Sequence, residues 1–148
     1  TGERKYTDKM WVLYSYTRNE YAKNGLFNPK DGLWRRDHDF VPPYKEPNGE
    51  DGYWSRGNGW AYAALVRVLE EIPADEVHRA DYVNDFLAMS KAIKKCQRKD
   101  GFWNVSLHDE TNYGGKESCA TGCASSVRVA GVCTGNGKGT NGWLAGDL

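Results

Sequence analysis

The chain carries no net charge: twenty lysines and arginines offset twenty aspartates and glutamates over 148 residues. That balance removes the basic field that recruits nucleic acid, and there is no acidic tail. No apolar run nears the roughly 20 residues of a membrane span, and the N-terminus lacks a signal-peptide pattern, so the chain reads as soluble and not as a membrane protein. Histidine is scarce at three residues, and the four cysteines, Cys96, Cys119, Cys123 and Cys133, form no C-x-x-C pair. With no histidine close to Cys119 and Cys123 either, no metal site is expected, and the thiols read as buried or incidental. No G-x-x-x-x-G-K-[ST] or G-x-G-x-x-G element supports a nucleotide site, and no cofactor is expected.

Aromatic residues are plentiful. They make up 13% of the chain, with six Trp and nine Tyr, more than a core of this size needs. Most of the tyrosines suit half-buried helix surfaces, and the surplus is available to face a ligand. From Tyr6 to Ala22, the residues Tyr6, Met10, Leu13, Tyr14 and Tyr21 recur at helical spacings with Trp11 alongside, and Asn24-Gly25 supplies a stop. Pro29 and Asp31-Gly32 mark a turn between short extended pieces in the stretch from Leu26 to Trp34. From Arg35 to Tyr53, Pro42, Pro43 and Pro47 with Gly49 and Gly52 exclude a regular helix; a loop this long in a compact domain is usually functional or disordered.

A second helix is expected through Trp60, Ala64, Leu65, Val68 and Leu69, capped by Ser55 or Asn58 and ended by Ile72-Pro73. Ala61, Ala63 and Ala64 would let a neighbouring helix come close. A third is expected from Arg79 to Gln97, with Tyr82, Phe86, Met89, Ala92, Ile93 and Cys96 as its inward stripe. Lys91, Lys94, Lys95 and Arg98 read as a solvated face matched to the helix dipole.

Lys99-Asp100-Gly101-Phe102-Trp103 nearly repeats Lys30-Asp31-Gly32-Leu33-Trp34, each time after a long helix. The repeating unit is then a pair of antiparallel helices, with the Asp-Gly-aromatic-Trp turns at one rim of a stacked, toroidal array. Beyond Gly122, Gly131, Gly135, Gly137, Gly139, Gly142 and Gly146 mark 123–148 as a glycine-rich tail expected to be poorly ordered. The domain proper is therefore expected over 1–122.

The stretch from Gly52 to Leu65 holds the main candidates for chemistry. Trp54, Arg56 and Trp60 fall where a loop passes into a helix, and two indoles flanking a guanidinium suit a ligand with apolar ring faces and a negative charge, such as an acidic sugar. For either Trp taken singly, core packing is the competing reading. Arg35-Arg36-Asp37-His38-Asp39 is the densest polar cluster; its spacing matches no helical metal motif, and self-neutralised loop charges are the plainer reading. Asp37 and His38 remain candidates for rim contacts. His108 would face the same pocket as Trp34 if the two repeated turns share a rim. His78 has no partner pattern.

Trp54-Ser55-Arg56-Gly57-Asn58-Gly59-Trp60, with the alanine-rich helix ending in Ile72-Pro73, resembles the signature of the unsaturated rhamnogalacturonyl hydrolases, which unsaturated glucuronyl hydrolases largely share. Lys99 to Trp103, His108-Asp109 and Glu117-Ser118 follow in that family's order. The resemblance implies an all-α fold, part of an (α/α)6 barrel, from a bacterial enzyme of the cytoplasm or periplasm. Its substrate would be a pectin-derived oligosaccharide that ends in a 4,5-unsaturated uronic acid. The chemistry it implies is hydration of the vinyl ether, in which an aspartate protonates the double bond, water adds and the hemiketal opens. Trp54 and Trp60 match the tryptophans that pack on sugar rings, and Arg56 matches the arginine that holds the substrate end. The family's proton-donating aspartate belongs upstream of Thr1, so the chain looks like an internal fragment on this comparison. The alternatives are an unsaturated glucuronyl hydrolase or a non-catalytic helical-repeat module that binds acidic sugars.

Overall fold

The computed structural model describes residues 3–127. Helix α1 spans Arg4–Asn19, α2 Ser55–Glu71, α3 Arg79–Lys95 and α4 Ser118–Val127. Two short strands, β1 Phe27–Asn28 and β2 Leu33–Trp34, pair antiparallel across the first Asp-Gly turn.

Helix α1 ends three residues short of the expected Ala22. Ala22 and Lys23 take left-handed φ values of 56° and 73°, and a 3-10 turn over Tyr21–Lys23 closes with the Gly25 N–H on the Tyr21 carbonyl at 2.7 Å. Its inward face is Met10, Trp11, Tyr14 and Arg18, while Tyr6 and Leu13, expected in the stripe, are exposed. The face is set by a buried carboxylate on α3. Asp85 accepts from Arg18 Nε at 2.6 Å and Nη2 at 2.7 Å, and from the Tyr14 hydroxyl at 2.6 Å. Burial, together with the hydrogen bond to Asp85, pushes the Tyr14 phenol far above its ordinary pKa.

Helices α1 and α3 run the same way. Trp11 stacks on His78 and Tyr14 packs on Tyr82, so positions rise together along both. Helix α2 runs against α3, because Tyr62 stacks on Phe86 at the middle of both helices while Arg79 Nη1, at the start of α3, reaches the Ile72 carbonyl just past the end of α2. The N-terminal halves of α2 and α4 lie side by side: a Cβ on Gly59 would come within 3.2 Å of the Ala120 Cα. This glycine, rather than the expected alanines, permits the close approach. The layout is an array of antiparallel pairs whose equivalent helices are parallel.

The core gathers Leu33, Tyr53, Tyr62, Leu65, Leu69, Tyr82, Met89, Ile93 and Trp103. On α2 the buried positions are Ser55, Asn58, Gly59, Tyr62, Leu65, Val66 and Leu69, at three- and four-residue steps, which leaves Trp60 and Ala64 exposed instead of in the core stripe. On α3, Tyr82, Met89 and Ile93 are buried, with Phe86, Ala92 and Cys96 packed beside them. Arg98 is half-buried, not part of a free basic face, and donates to Asp100 and Asn104. Helix α4 continues past Gly122 to Val127, because Ala120 and Ala124 bury against α2. The remaining tail, 128–148, lies outside the described residues.

The two Asp-Gly turns take the same backbone form and border the start of α2. Gly32 and Gly101 have φ of 67° and 84°. The segment after the second turn pairs with the residues leading into α2, through Ser55 N–H on the Val105 carbonyl at 2.8 Å and Leu107 N–H on the Tyr53 carbonyl at 2.9 Å.

The surroundings of the two glycines differ. A Cβ on Gly32 would meet the Ala88 carbonyl oxygen of α3 at 2.8 Å, whereas one on Gly101 would meet nothing within 4 Å. Gly101→Ala is expected to cost about 1 kcal/mol of left-handed strain, and Gly32→Ala at least about 1–2 kcal/mol more because α3 must shift. Urea unfolding of the two variants measures the difference. The second turn also has a pH signature. Hydrogen bonds from Arg98 hold the Asp100 carboxyl at about 2, with Lys116 adding to them. Its folded pKa lies below the unfolded value, so its contribution is present above the ordinary carboxylate range and lost as pH falls toward about 2. An NMR titration should show the low value in the wild type and a return toward about 4 in Arg98→Gln.

Candidate functional site

Helix α2 begins without a side-chain cap. Trp54 occupies the N-cap position in extended conformation, and neither Ser55 nor Asn58, the expected caps, serves it. Ser55 is already helical and buried, its hydroxyl unpaired among the described residues. Asn58 is 1% exposed, and its carboxamide is committed elsewhere. Its Oδ1 accepts the Trp34 N–H at 2.8 Å, while Nδ2 donates to the Trp34 carbonyl at 2.9 Å and to the Trp54 carbonyl at 3.0 Å. The amide of Asn58 thus acts as a strand partner for Trp34 and ties β2 to the mouth of α2.

That tie brings Trp34, Trp54, Arg56 and Trp60 to one cleft of about 440 Å³, completed by Leu26, Arg35, Arg36, Gly57 and Ala61. Among the described residues, three arginines line it and no acid does. Among the described residues Trp60 is 58% exposed. Trp34 packs against Phe27 and Tyr14, and its indole N–H is buried and unpaired among the described residues, so it offers the cleft its ring carbons. Trp54 meets Tyr113 edge-on at 4.9 Å and carries the Arg36 guanidinium 5.3 Å from its ring centre.

The three arginines are held differently. Arg35 is buried and donates from Nη2 to Asp51 at 2.9 Å, and the other Asp51 oxygen accepts from Lys45 at 2.6 Å. Burial raises the Asp51 pKa, but the bonds from Lys45 and Arg35 outweigh it and keep the carboxyl below its ordinary value. Arg56, 42% exposed, donates from Nη1 to Glu117 Oε2 at 3.4 Å, a long bond. The other Glu117 oxygen accepts the Cys119 N–H at 3.1 Å in the first turn of α4. Arg56 is therefore steadied from the next helix start, with donors left to spend.

The other expected contacts lie elsewhere. Asp37 accepts the Asp39 N–H at 2.9 Å, opening a 3-10 turn over His38–Phe40, and pairs with Arg36 Nε at 3.3 Å. His38 pairs with Asp39 at 3.2 Å. Ligand atoms of Asp37, His38 and Asp39 lie within 4.8 Å of one another, but the group is largely exposed, and Asp37 is paired with Arg36. His108 packs edge-on against Tyr53 at 4.8 Å and is not among the residues that line the cleft. The repeated turns share a border with α2, yet the chain folds back after Leu107, taking His108 toward the Asn48 loop, where Asn48 Nδ2 donates to its carbonyl at 2.8 Å. Sequence reasoning passed over Arg36, read only as part of a neutralised cluster, and the linking roles of Asn58 and Glu117. Glu117 precedes a helix by one residue, a signal that was present but unspecific.

A family model described as Glycosyl Hydrolase Family 88 matches residues 1–136. The chain belongs to glycosyl hydrolase family 88. Among curated relatives, an unsaturated 3S-rhamnoglycuronyl hydrolase from Formosa agariphila is 35% identical over 140 residues, 91% of this chain and 36% of that protein. One of the same name from an Alteromonas species is 30% identical over 116 residues, covering 78% of this chain and 28% of that protein. The chain thus spans about a third of the length of these relatives. A solved family 88 structure from Bacteroides vulgatus superimposes with a TM-score of 0.78 at 32% identity, over 86% of this chain and 35% of that one. The four helices among the described residues of this family 88 chain are part of an (α/α)6 barrel. No helix among the described residues is long and apolar enough to cross a membrane.

Replacing Asn58 tests the tie beneath the cleft. Asn58→Ala leaves the Trp34 N–H and carbonyl unpaired in the interior and should destabilise the fold by about 2–4 kcal/mol, read by urea unfolding. Quenching of tryptophan fluorescence by iodide should rise in the same variant as Trp34 and Trp54 loosen.

Proposed function

We propose that the cleft holds the charged end of an oligosaccharide whose terminal sugar is a 4,5-unsaturated uronic acid, and that the intact protein removes that sugar by hydrating its vinyl ether. The observation that carries the reading is a cleft lined by three arginines and, among the described residues, by no acid, with the exposed Trp60 indole beside the half-buried Trp34 and Trp54. Arg56 presents a guanidinium suited to grip a carboxylate by two parallel N–H bonds. Trp60 and Trp54 offer ring faces to the apolar side of the sugar. The names of the curated relatives, rhamnoglycuronyl hydrolases, favour rhamnose as the sugar that follows. The pectin-derived substrate implied by the motif resemblance shares that uronate-rhamnose chemistry.

The work assigned to these residues is binding and orientation. Among the described residues no carboxylate lines the cleft, so on this reading the proton that the reaction needs comes from a group outside the nine described lining residues. The same fact favours a second reading, an acidic-sugar-binding module without turnover, and the two differ only in catalysis.

Loss of the ultraviolet absorbance of an unsaturated uronyl-rhamnose disaccharide measures turnover by the intact protein. Arg56→Ala should lower kcat/KM by about 2–3 kcal/mol, roughly 30- to 150-fold, as a charged hydrogen-bonded contact is lost. Trp60→Ala should act mainly on KM. Undiminished turnover in Arg56→Ala overturns its role, and tight binding of the disaccharide with no loss of absorbance selects the non-catalytic module.

A further inference from the structure

Helix α4 carries two thiols one turn apart. Cys119 and Cys123 are reduced and half-buried, and they flank Ala120 and Ala124, which bury against α2. Their spacing is not the C-x-x-C of a tetrahedral ion, but residues four apart on a helix share one face. Helix α2 lies against that face, since a Cβ on Gly59 would come within 3.3 Å of the Cys123 Cβ. The Cys123 thiol is in hydrogen-bond contact with that of Cys119. Burial raises the Cys123 pKa, Cys119 adds to the rise, and Arg67 of α2 works against it.

The helix decides how such a pair can close. A disulfide needs Cβ atoms about 3.5–4.5 Å apart, whereas a helix holds those of residues four apart at about 5–6 Å. The two sulfurs therefore cannot bond directly while α4 stays wound. A single bridging atom removes the conflict: two metal–sulfur bonds of about 2.3 Å, the zinc–thiolate length, let the sulfurs stand up to about 4.6 Å apart. The surroundings select the ion. Zinc takes four protein ligands in a structural site, yet among the described residues no histidine, acid or further cysteine joins the two thiols in a group of three. Glu117, the carboxylate nearest in sequence, is engaged by the Cys119 N–H at 3.1 Å and by Arg56. Two thiolates with nothing further suit a soft monovalent ion.

We propose that Cys119 and Cys123 bind a soft monovalent metal ion, copper(I) or its like, as a two-coordinate bis-thiolate. Binding forms two metal–sulfur bonds and releases the two S–H protons, with no change of oxidation state. The occupied site carries one negative charge, which the exposed guanidinium of Arg67 offsets. Neither cysteine lines the cleft, and the proposal stands independently of what the cleft holds.

Anaerobic titration of the intact protein with copper(I), in competition with a chromophoric chelator, tests the site, and thermal unfolding is read in parallel. One equivalent should be taken up, and the unfolding temperature should rise with it. Cys119→Ser and Cys123→Ser should each weaken uptake by at least about a hundredfold, because the remaining thiol loses a partner held at high local concentration. Cys96→Ser and Cys133→Ser should leave it unchanged, and zinc(II) should be held far more weakly. Uptake that survives both Cys119→Ser and Cys123→Ser overturns the proposal, and so does zinc(II) bound as tightly as copper(I). A second readout needs no variant. One equivalent of silver(I) should slow alkylation of Cys119 and Cys123 together by at least about tenfold in the wild type, mapped by peptide mass, since the metal takes the thiolate that the reagent attacks. Protection of only one of them, or of neither, overturns the site.

Discussion

The Asn58 carboxamide holds together two pieces of chain that have no ladder between them. One is β2, which ends the first Asp-Gly turn; the other is the unwound residue before α2. A helix start normally spends such a side chain on its own free N–H groups. Here the amide bonds both the N–H and the C=O of Trp34, and the start of α2 is steadied from outside by the Val105 carbonyl on Ser55. The geometry is tolerable because Asn58 is flanked by Gly57 and Gly59. Gly59 lets α4 pack within a backbone's reach of α2, while Gly57 opens onto the cleft. Without the tie, Trp34 and Trp54 would belong to separate loops, and the cleft would have no fixed wall.

The long segment from 35 to 53 also depends on buried polar groups. Apart from Tyr53 it buries little apolar surface, so side-chain bonds must offset the entropy of ordering it. Glu46 accepts the Ser106 hydroxyl at 2.6 Å and Asn112 Nδ2 at 3.3 Å, and Asp109 takes the Asn48 N–H at 3.3 Å. Burial raises the Glu46 pKa, and the bonds from Ser106 and Asn112 work against that rise. Nearer the turn, the Tyr53 hydroxyl donates to Asp31 at 2.6 Å and accepts from Asn28 Nδ2 at 2.7 Å. These contacts join the first turn, the loop and the second turn into one layer over the N-terminal ends of α2 and α4. The cleft is a property of that layer as much as of the helices.

This division explains what could be read from the letters alone. Helix existence and stops were legible where chemistry is local: Ile72-Pro73 ends α2, and Gly25 closes the turn after α1. Faces were less so. Leu13 and Trp60 look like core residues by type and spacing, yet both are exposed, because Arg18 with Asp85 orients α1 and Gly59 with Ala120 orients α2. Neither contact has a sequence signature, since each joins residues more than sixty positions apart. The grouping of Trp34 with Trp54, Arg56 and Trp60 was legible through the repeated turn and the motif. The course of His108 was not, because it depends on how the chain folds back after Leu107.

The charges of the cleft decide what kind of ligand it can hold. Three arginines around a small volume repel one another, and such a group is retained only if acids outside the pocket hold each one or if a ligand supplies the missing charge. Asp51 pairs with Arg35 in the interior at 2.9 Å and takes the exposed Lys45 on its other oxygen. Glu117 meets Arg56 over a long bond while also serving α4, and Asp37 meets Arg36 side-on. The positive charge left over therefore concentrates on the two solvent-facing forks at either side of the indoles. A neutral glycan would gain from the ring faces but leave both forks to water. On the proposed reading, an anionic one would replace water at the forks while its rings cover the indoles, with the Glu117 and Asp37 contacts holding the forks in place.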